Sequence, residues 1–491
     1  MDKVAIKMNR RLIICALLLE IPLVAEALPA FPGASGAGAT AVGGRGGVIY
    51  EVTNLNSIGP GSLHNGLAMQ GPRIIVFRVS GTIEVPNGES ITNPYITIAG
   101  QTAPGGGITI SGKNSIYDTL NIKTHDVVIR YIRFRKGHNN STPSQNGDSS
   151  SFYGEAATSI IDHCSMSWAQ DENGQVWGSS SGVQPHDITY SWSIFAEPLA
   201  RHPTNFITGA NTSGASENLV NIDAHHNLFA NSSYRNPLIK NKSFRLVNNI
   251  IYNWSLFATQ LGGGVRADII GNLYKTGPMY QPASNRRAYE VQVFTAPNSS
   301  TPLGSPSVYI TGNIGPHNAV PENDNWGMVR EVTAEGNPEI GQLSTAYKRN
   351  SPLPSLPIAI ETHSANSLES LLLPSVGASQ RLNCLGNWVA NRDAVDSRII
   401  QEYQTNKGIE PNTENDVGGF QPIPSGIPCA DADHDGMPDQ WEEAHGLNKN
   451  DSSDGPRVSV NGYTNVENYL NGYSDINDTP LSPPKNVRLS P

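Results

Sequence analysis

Hydrophobic and polar residues alternate in short bursts along most of this chain, in "YITIAG", "DVVIRYIRFRKG", "SIIDHCSMSW", "DITYSWSIFA", "NIDAHHNLFA", "FRLVNNIIYNW", "ADIIGNLY" and "VYITGNI". Alternation over a few residues predicts short strands. The bursts also repeat at a longer spacing. Asn227-Leu228, Asn249-Ile250 and Asn272-Leu273 follow one another at nearly equal intervals, and Asn313-Ile314 returns after a longer insertion. A near-constant period of this kind predicts a solenoid. In a parallel β-helix each coil stacks on the next, aliphatic side chains fill the interior, and asparagines at equivalent turns can hydrogen-bond one another's backbones. A β-sandwich would want regular hairpin turns such as Asn-Gly, which are sparse here. The expected class is all-β, a parallel β-helix.

The pattern changes toward both ends. "RDAVDSRIIQEYQ" (392 to 404) spaces Val395, Ile399 and Tyr403 at four-residue intervals, which predicts an amphipathic helix packed against the solenoid end. "GGFQPIPSGIPC" then reads as a Pro/Gly linker. At the N-terminus, Lys3, Lys7, Arg10 and Arg11 precede the apolar run "LIICALLLEIPLVAEA", and Ala25-Glu26-Ala27 offers a small-x-small cleavage site. This is the pattern of an export signal over residues 1–27, too short to span a bilayer. The expected organisation is a β-helix over 28–385, the helix and linker over 386–429, a small module over 430–473 and a flexible tail over 474–491. The protein is expected to be secreted, extracellular and monomeric, with no membrane partner.

Composition narrows the partners. Acidic residues outnumber basic ones 43 to 33, for a net charge of −10, which argues against a nucleic-acid partner while leaving room for a local basic cleft that binds a polyanion. With 48 glycines, 35 prolines and 15% charged residues, the chain favours many short turns over long helices. Cys15 leaves with the signal. Of the three remaining cysteines, Cys384 and Cys429 are candidates for a disulfide, and Cys164, inside an apolar strand pattern, is expected to stay buried and free. Asn140, Asn211, Asn231, Asn253 and Asn298 open Asn-x-Ser/Thr triplets, which would make this a glycoprotein only in a eukaryotic secretory pathway.

Two stretches carry candidate chemistry. "SSYRNPLIKNK" sets Arg235, Pro237 and Lys240 together just ahead of a strand, an arrangement suited to an anionic ligand. In isolation such cations are most often solvated surface charges. "DADHDGMPDQWEE" places Asp431, Asp433, Asp435, Gly436, Asp439 and Glu442 at positions one, three, five, six, nine and twelve of an EF-hand-type calcium loop, with Met437 supplying its carbonyl. A partner loop near "VNGYTNVENYL" keeps Gly462 but has Arg457, Ser459, Asn461 and Asn468 where acids would sit, as a decayed second site would.

"FPGASGAGATAVGGRGGVIYEVTNLNSIGPGSL", "ITIAGQTAPGGGITISG", "VVIRYIRFRKG", "IIDHCSMSWAQDE" and "RNPLIK", in that order, resemble the secreted pectate lyases, above all the group with a calcium-loop tail. The resemblance implies a right-handed parallel β-helix that cleaves (1→4)-α-D-galacturonan, the backbone of pectin, by Ca²⁺-dependent β-elimination to unsaturated oligogalacturonides. Such an elimination needs a cation on the C6 carboxylate, a base for the C5 proton and positive groups that hold neighbouring uronates. On this resemblance Asp148 and Asp171 are metal ligands, one coil apart if the period holds, and Gln175 stands where the family has a further Asp. Arg235 matches the catalytic base, and Lys240 matches the residue that binds substrate carboxylate. An arginine base requires a site that depresses its pKa strongly, or an alkaline optimum. Arg201 or His202 falls near the place of a substrate-binding lysine. Asp162 and His163 also match the family, His163 as a brace for its coil, while His225 and His226, as strand neighbours, face opposite sides and make no chelating pair. Two other readings remain: a β-helix pectin lyase or polygalacturonase-type hydrolase, and a non-catalytic polysaccharide-binding solenoid.

Overall fold

The computed structural model describes residues 28–139, 147–281 and 289–473. The expected export signal, Asn140 and the tail 474–491 lie outside the described residues. Two sheets of ten strands and one of eight are each ordered as the chain visits them, with every third strand or so returning to the same sheet one coil further on. The first sheet runs from Val48–Val52 through Ala157–Asp162 to Ser307–Thr311, and its neighbouring strands are parallel throughout. This is a parallel β-helix. The interval between the Asn-aliphatic dipeptides is real but is that of the shortest coils, in which Phe244 lies on Ile222 and Ala267 on Phe244. Ile222 lies on Ile188, a longer step back along the chain, because loops bulge from the longer coils.

The asparagine ladder forms as the repeat predicts. The side-chain oxygens of Asn227, Asn249, Asn272 and Asn313 each accept the backbone N–H of the equivalent residue one coil earlier, at 2.8 to 2.9 Å. Cys164 belongs to the same ladder, buried and free, with its N–H donated to Ser193. Just before each rung the chain turns through a left-handed residue: Tyr131, His163, Trp192, His226 and Asn248 all have φ between 49° and 57°. A non-glycine residue there costs about 1–2 kcal/mol. Stacking offsets part of that, because Tyr131, His163, Trp192 and His226 pile ring on ring at 4.8 to 5.5 Å between centroids.

That turn also changes the reason His225 and His226 are not a metal pair. They do not face opposite ways, since the left-handed His226 brings their Nδ1 atoms to 3.0 Å. Both rings are buried, and burial lowers both, His225 to about 4, so they stay neutral and pair with each other. His163 braces its coil as expected: it contacts Asp162 at 2.7 Å, and Asp162 also accepts from Arg130 and Ser191.

Outward strand positions that alternation would leave polar are buried here, because later segments cover the sheets. Helix Ala394–Gln404 lies along the side of the eight-stranded sheet and not at the solenoid end. The reason is an apolar outer stripe, Trp168, Ile194, Leu228, Ile250 and Tyr252, which receives Val395, Ile399 and Tyr403. At the helix start, Asp396 accepts from Arg135 and from Ser165. Ile399 is fully buried, so Ile399→Ala should cost about 2–5 kcal/mol, read as a lowered denaturation midpoint. A cost below about 1 kcal/mol would mean that the helix contributes little to the fold.

The C-terminal acidic loop and its helices dock on the outer face of early coils, where Met437, Trp441, Val466, Tyr469 and Leu470 cover Ile74, Val76 and Ala99. Cys384 and Cys429 form the disulfide. Two glycan acceptors read from the sequence are closed by the fold: Asn231 and Asn253 are fully buried and hydrogen-bonded, Asn253 to Asn231 and Asn231 to Glu402. No helix among the described residues is long and apolar enough to cross a membrane.

Candidate active site

The second ten-stranded sheet sets one column of functional side chains at the entrance to successive strands. Its register pairs Ser151 with Asn121 and Ser150 with Gly174, which places Asp118, Asp148 and Glu172 on consecutive rungs. Hydrogen bonds knit the rungs: Asp148 N–H donates to Asp118 at 3.0 Å, and Glu172 N–H donates to Asp148 at 2.9 Å. Asp148 therefore lines up with Glu172 rather than with Asp171. Asp171, one residue earlier, turns outward to meet His202 Nδ1 at 2.6 Å. Asp171, Glu172 and His202 bring ligand atoms within 4.8 Å of one another.

Arg235 enters two coils further along, in a left-handed conformation before the cis Asn236-Pro237 bond. Its guanidinium pairs with Glu172 and, at 3.2 Å, with Glu335. Lys240 reaches the other oxygen of Glu335 at 2.6 Å. Two cations thus share one carboxylate beside a bank of acids. Gln175 donates to Asp148 and to Ser151, filling with an amide the place where a further acid would stand.

Burial dominates the electrostatics, and the crowding of carboxylates adds to it. Burial, with repulsion from Asp118 and Glu172, holds the Asp148 carboxyl well above its ordinary range. Burial and the neighbouring Asp171 push Glu172 up to about 8, against the opposing pull of Arg235. Asp171 is also pushed upward by burial, but the His202 contact prevails and holds it below its ordinary value. Arg235 feels burial as a force toward neutrality, which Glu172 and Glu335 overcome, so its pKa is raised. Carboxylates forced together on adjacent rungs are the oxygen-rich donor set that suits a hard divalent cation.

Of the sequence candidates, Asp148, Asp171, His202, Arg235 and Lys240 come together here. His202 lies against a proposed metal ligand rather than in a substrate cradle of its own, and Arg201 is exposed on the same turn. Asp118, Glu172 and Glu335 were missed. Glu172 follows from the stacking interval, since it stands one short coil after Asp148. Glu335 arrives 100 residues after Arg235, from the loop beyond strand Val329–Val332, and no sequence periodicity announces it.

In the tail, Asp431, Asp433 and Asp435 converge as the loop pattern predicts, and Gly436 takes φ 86° at the sharp turn. Asp439 departs from the pattern, because its carboxylate accepts the Ala432 N–H at 2.8 Å. The second loop is closed by amides: Asn461 donates to Asn468, and Asn468 to Ser459. No ion is needed to satisfy it.

No protein-family model matches the sequence. The chain is 31% identical over 452 residues to a probable pectate lyase C of Aspergillus terreus, covering 91% of this chain and 94% of that protein. It is also 31% identical over 454 residues to the probable pectate lyase C of Neosartorya fischeri, with the same coverage. Among solved structures, a pectate lyase bound to a hexasaccharide superposes with a TM-score of 0.49 at 14% identity, over 72% of this chain and 99% of that one. Similarity of this extent to the curated sequences makes the chain a member of the pectate lyase family of polysaccharide lyases.

Proposed function

We propose that this protein is an extracellular pectate lyase that cleaves (1→4)-α-D-galacturonan by Ca²⁺-assisted β-elimination. The observation that carries the reading is the pairing of Arg235 and Lys240 on one carboxylate, that of Glu335, beside Asp148, Asp171 and Glu172. Cations that share an internal carboxylate can share a uronate, and the acids beside them suit the metal that such an elimination needs.

Asp148, Asp171 and Glu172 would hold the ion, with His202 fixing the orientation of Asp171. When bound, Ca²⁺ supplies positive charge to the C6 carboxylate and so acidifies the C5 proton. Arg235, in its neutral guanidine form, takes that proton, the C4–O bond breaks as the C4–C5 double bond forms, and the departing glycosidic oxygen takes a proton from water. Glu172 and Glu335 hold the guanidinium charged in the free protein. Proton abstraction therefore requires that Glu172 turn its charge toward the metal and that Glu335 yield its place to substrate. The tail loop binds a second, accessory Ca²⁺ that stabilises the protein without taking part in the chemistry.

Purified protein on polygalacturonate should generate the ultraviolet absorbance of the unsaturated product and stop on addition of chelator. Reducing ends without that absorbance would mean hydrolysis, and binding without either would mean an adhesive solenoid.

Glu335 gives a second expectation. It stands where a substrate carboxylate would sit, so substrate must displace it. Partly exposed ion pairs are worth at most about 1 kcal/mol, and Glu335→Gln should lower KM for polygalacturonate by roughly two- to fivefold with kcat little changed. A raised KM would show that Glu335 helps to build the substrate site rather than occupying it.

A further inference from the structure

We infer that the tail ion is clasped by two segments of chain, with Asp454 as a ligand in place of Asp439. This rests on the calcium reading of residues 431–442 and extends it to the turn 448–455. Asp435, Glu442 and Asp454 bring ligand oxygens within 4.8 Å of one another, and Asp435 belongs equally to the group with Asp431 and Asp433. Glu442 is fully buried and neither of its oxygens receives a hydrogen bond. Buried oxygens of Asp431, Asp433, Asp435 and Asp454 likewise have no donor. Counting Oδ1 of Asp431, both oxygens of Asp433, Oδ2 of Asp435, both of Glu442 and Oδ1 of Asp454, seven oxygens are left for one site. Calcium takes six to eight oxygen ligands, whereas magnesium demands six in strict octahedral array and keeps waters.

The turn is built to deliver Asp454. Its Oδ2 accepts the Asn448 N–H at 3.0 Å and so fixes the carboxylate, while Oδ1 is left for the ion. Gly455 makes the approach possible: a β-carbon there would lie 2.6 Å from Asp435 Oδ2. Asp439, by contrast, spends Oδ1 on the Ala432 N–H. The ion therefore ties the loop before helix Asp439–His445 to the turn after it. The grip extends to the solenoid through Arg78, which meets Glu51 at 3.3 Å and donates to the Cys429 carbonyl at 2.6 Å, and through His434, 2.9 Å from Glu51.

The test uses the full-length protein and terbium as a luminescent stand-in for calcium, sensitised by Trp441 next to Glu442. Asp454→Asn should weaken terbium binding at least tenfold, whereas Asp439→Asn, which keeps an acceptor for Ala432, should change it less than twofold. The reverse order, or equal losses, would overturn the assignment of Asp454 while leaving the tail as a calcium site. Absence of sensitised emission from the unmutated protein would overturn both. Should Asp454→Asn fail to fold, hydrogen exchange on the unmutated protein decides: calcium must slow exchange in 448–455 as well as in 431–442, and protection confined to 431–442 would reject the clasp.

Discussion

Arg235→Lys should lower kcat on polygalacturonate by at least about a hundredfold, roughly 2.7 kcal/mol of lost transition-state stabilisation, while KM moves by less than about twofold. Lysine keeps the charge but loses the planar fork that reaches both Glu172 and Glu335. Lys240 and the acid column stay in place, so substrate should still bind. The split between kcat and KM is the decisive readout. Were Arg235 only a clamp on a uronate, the variant would raise KM and spare kcat. Near-normal activity would remove Arg235 from the mechanism. Because Glu172 and Glu335 hold the guanidinium firmly charged, turnover of the unmutated protein should also climb as pH rises above neutrality.

The parts of this molecule legible in its sequence are those that repeat. The Asn-aliphatic dipeptides predict the ladder because each rung solves the same problem, a buried backbone N–H at a corner, with the same side chain. The tail loop is legible because acids at positions one, three, five and twelve and a glycine at six fall within twelve residues, as a calcium loop would demand, although Asp439 at position nine turns to the Ala432 N–H. What escaped depends on coil length. Asp148 aligns with Glu172 rather than Asp171 because of the register of that coil, and a shift of one position decides which acid meets Arg235. Glu335 and Asp454 escaped because each is delivered by a turn from outside its motif. The side position of helix Ala394–Gln404 escaped because the stripe that receives it is assembled from one or two residues each of several strands and turns.

Two calcium roles should separate cleanly by mutation. Asp171 flanks the acid column beside Arg235 at the second ten-stranded sheet, whereas the tail loop docks against Ile74, Val76 and Ala99 on the first. Asp171→Asn should therefore depress polygalacturonate cleavage by tenfold or more and leave the tail as resistant to protease as before. The double change Asp431→Asn with Asp435→Asn should do the opposite, speeding cleavage of the chain near residues 420–445 while sparing most activity. Acidity supplies an independent check on the tail. Burial, with the neighbouring carboxylates, raises Asp435 and Glu442 to about 8, against ordinary values near 4. A carboxyl raised on folding favours the docked state when protonated, so its contribution is complete below pH 4 and is lost as pH rises through 8. In chelator, then, the tail should loosen progressively between pH 5 and pH 8, measured by hydrogen exchange in 431–455. Saturating calcium should abolish that dependence, because the ion replaces the protons between the same oxygens. If the double variant loses activity as completely as Asp171→Asn while the solenoid stays folded, the tail ion is part of catalysis and the division drawn between the two sites fails.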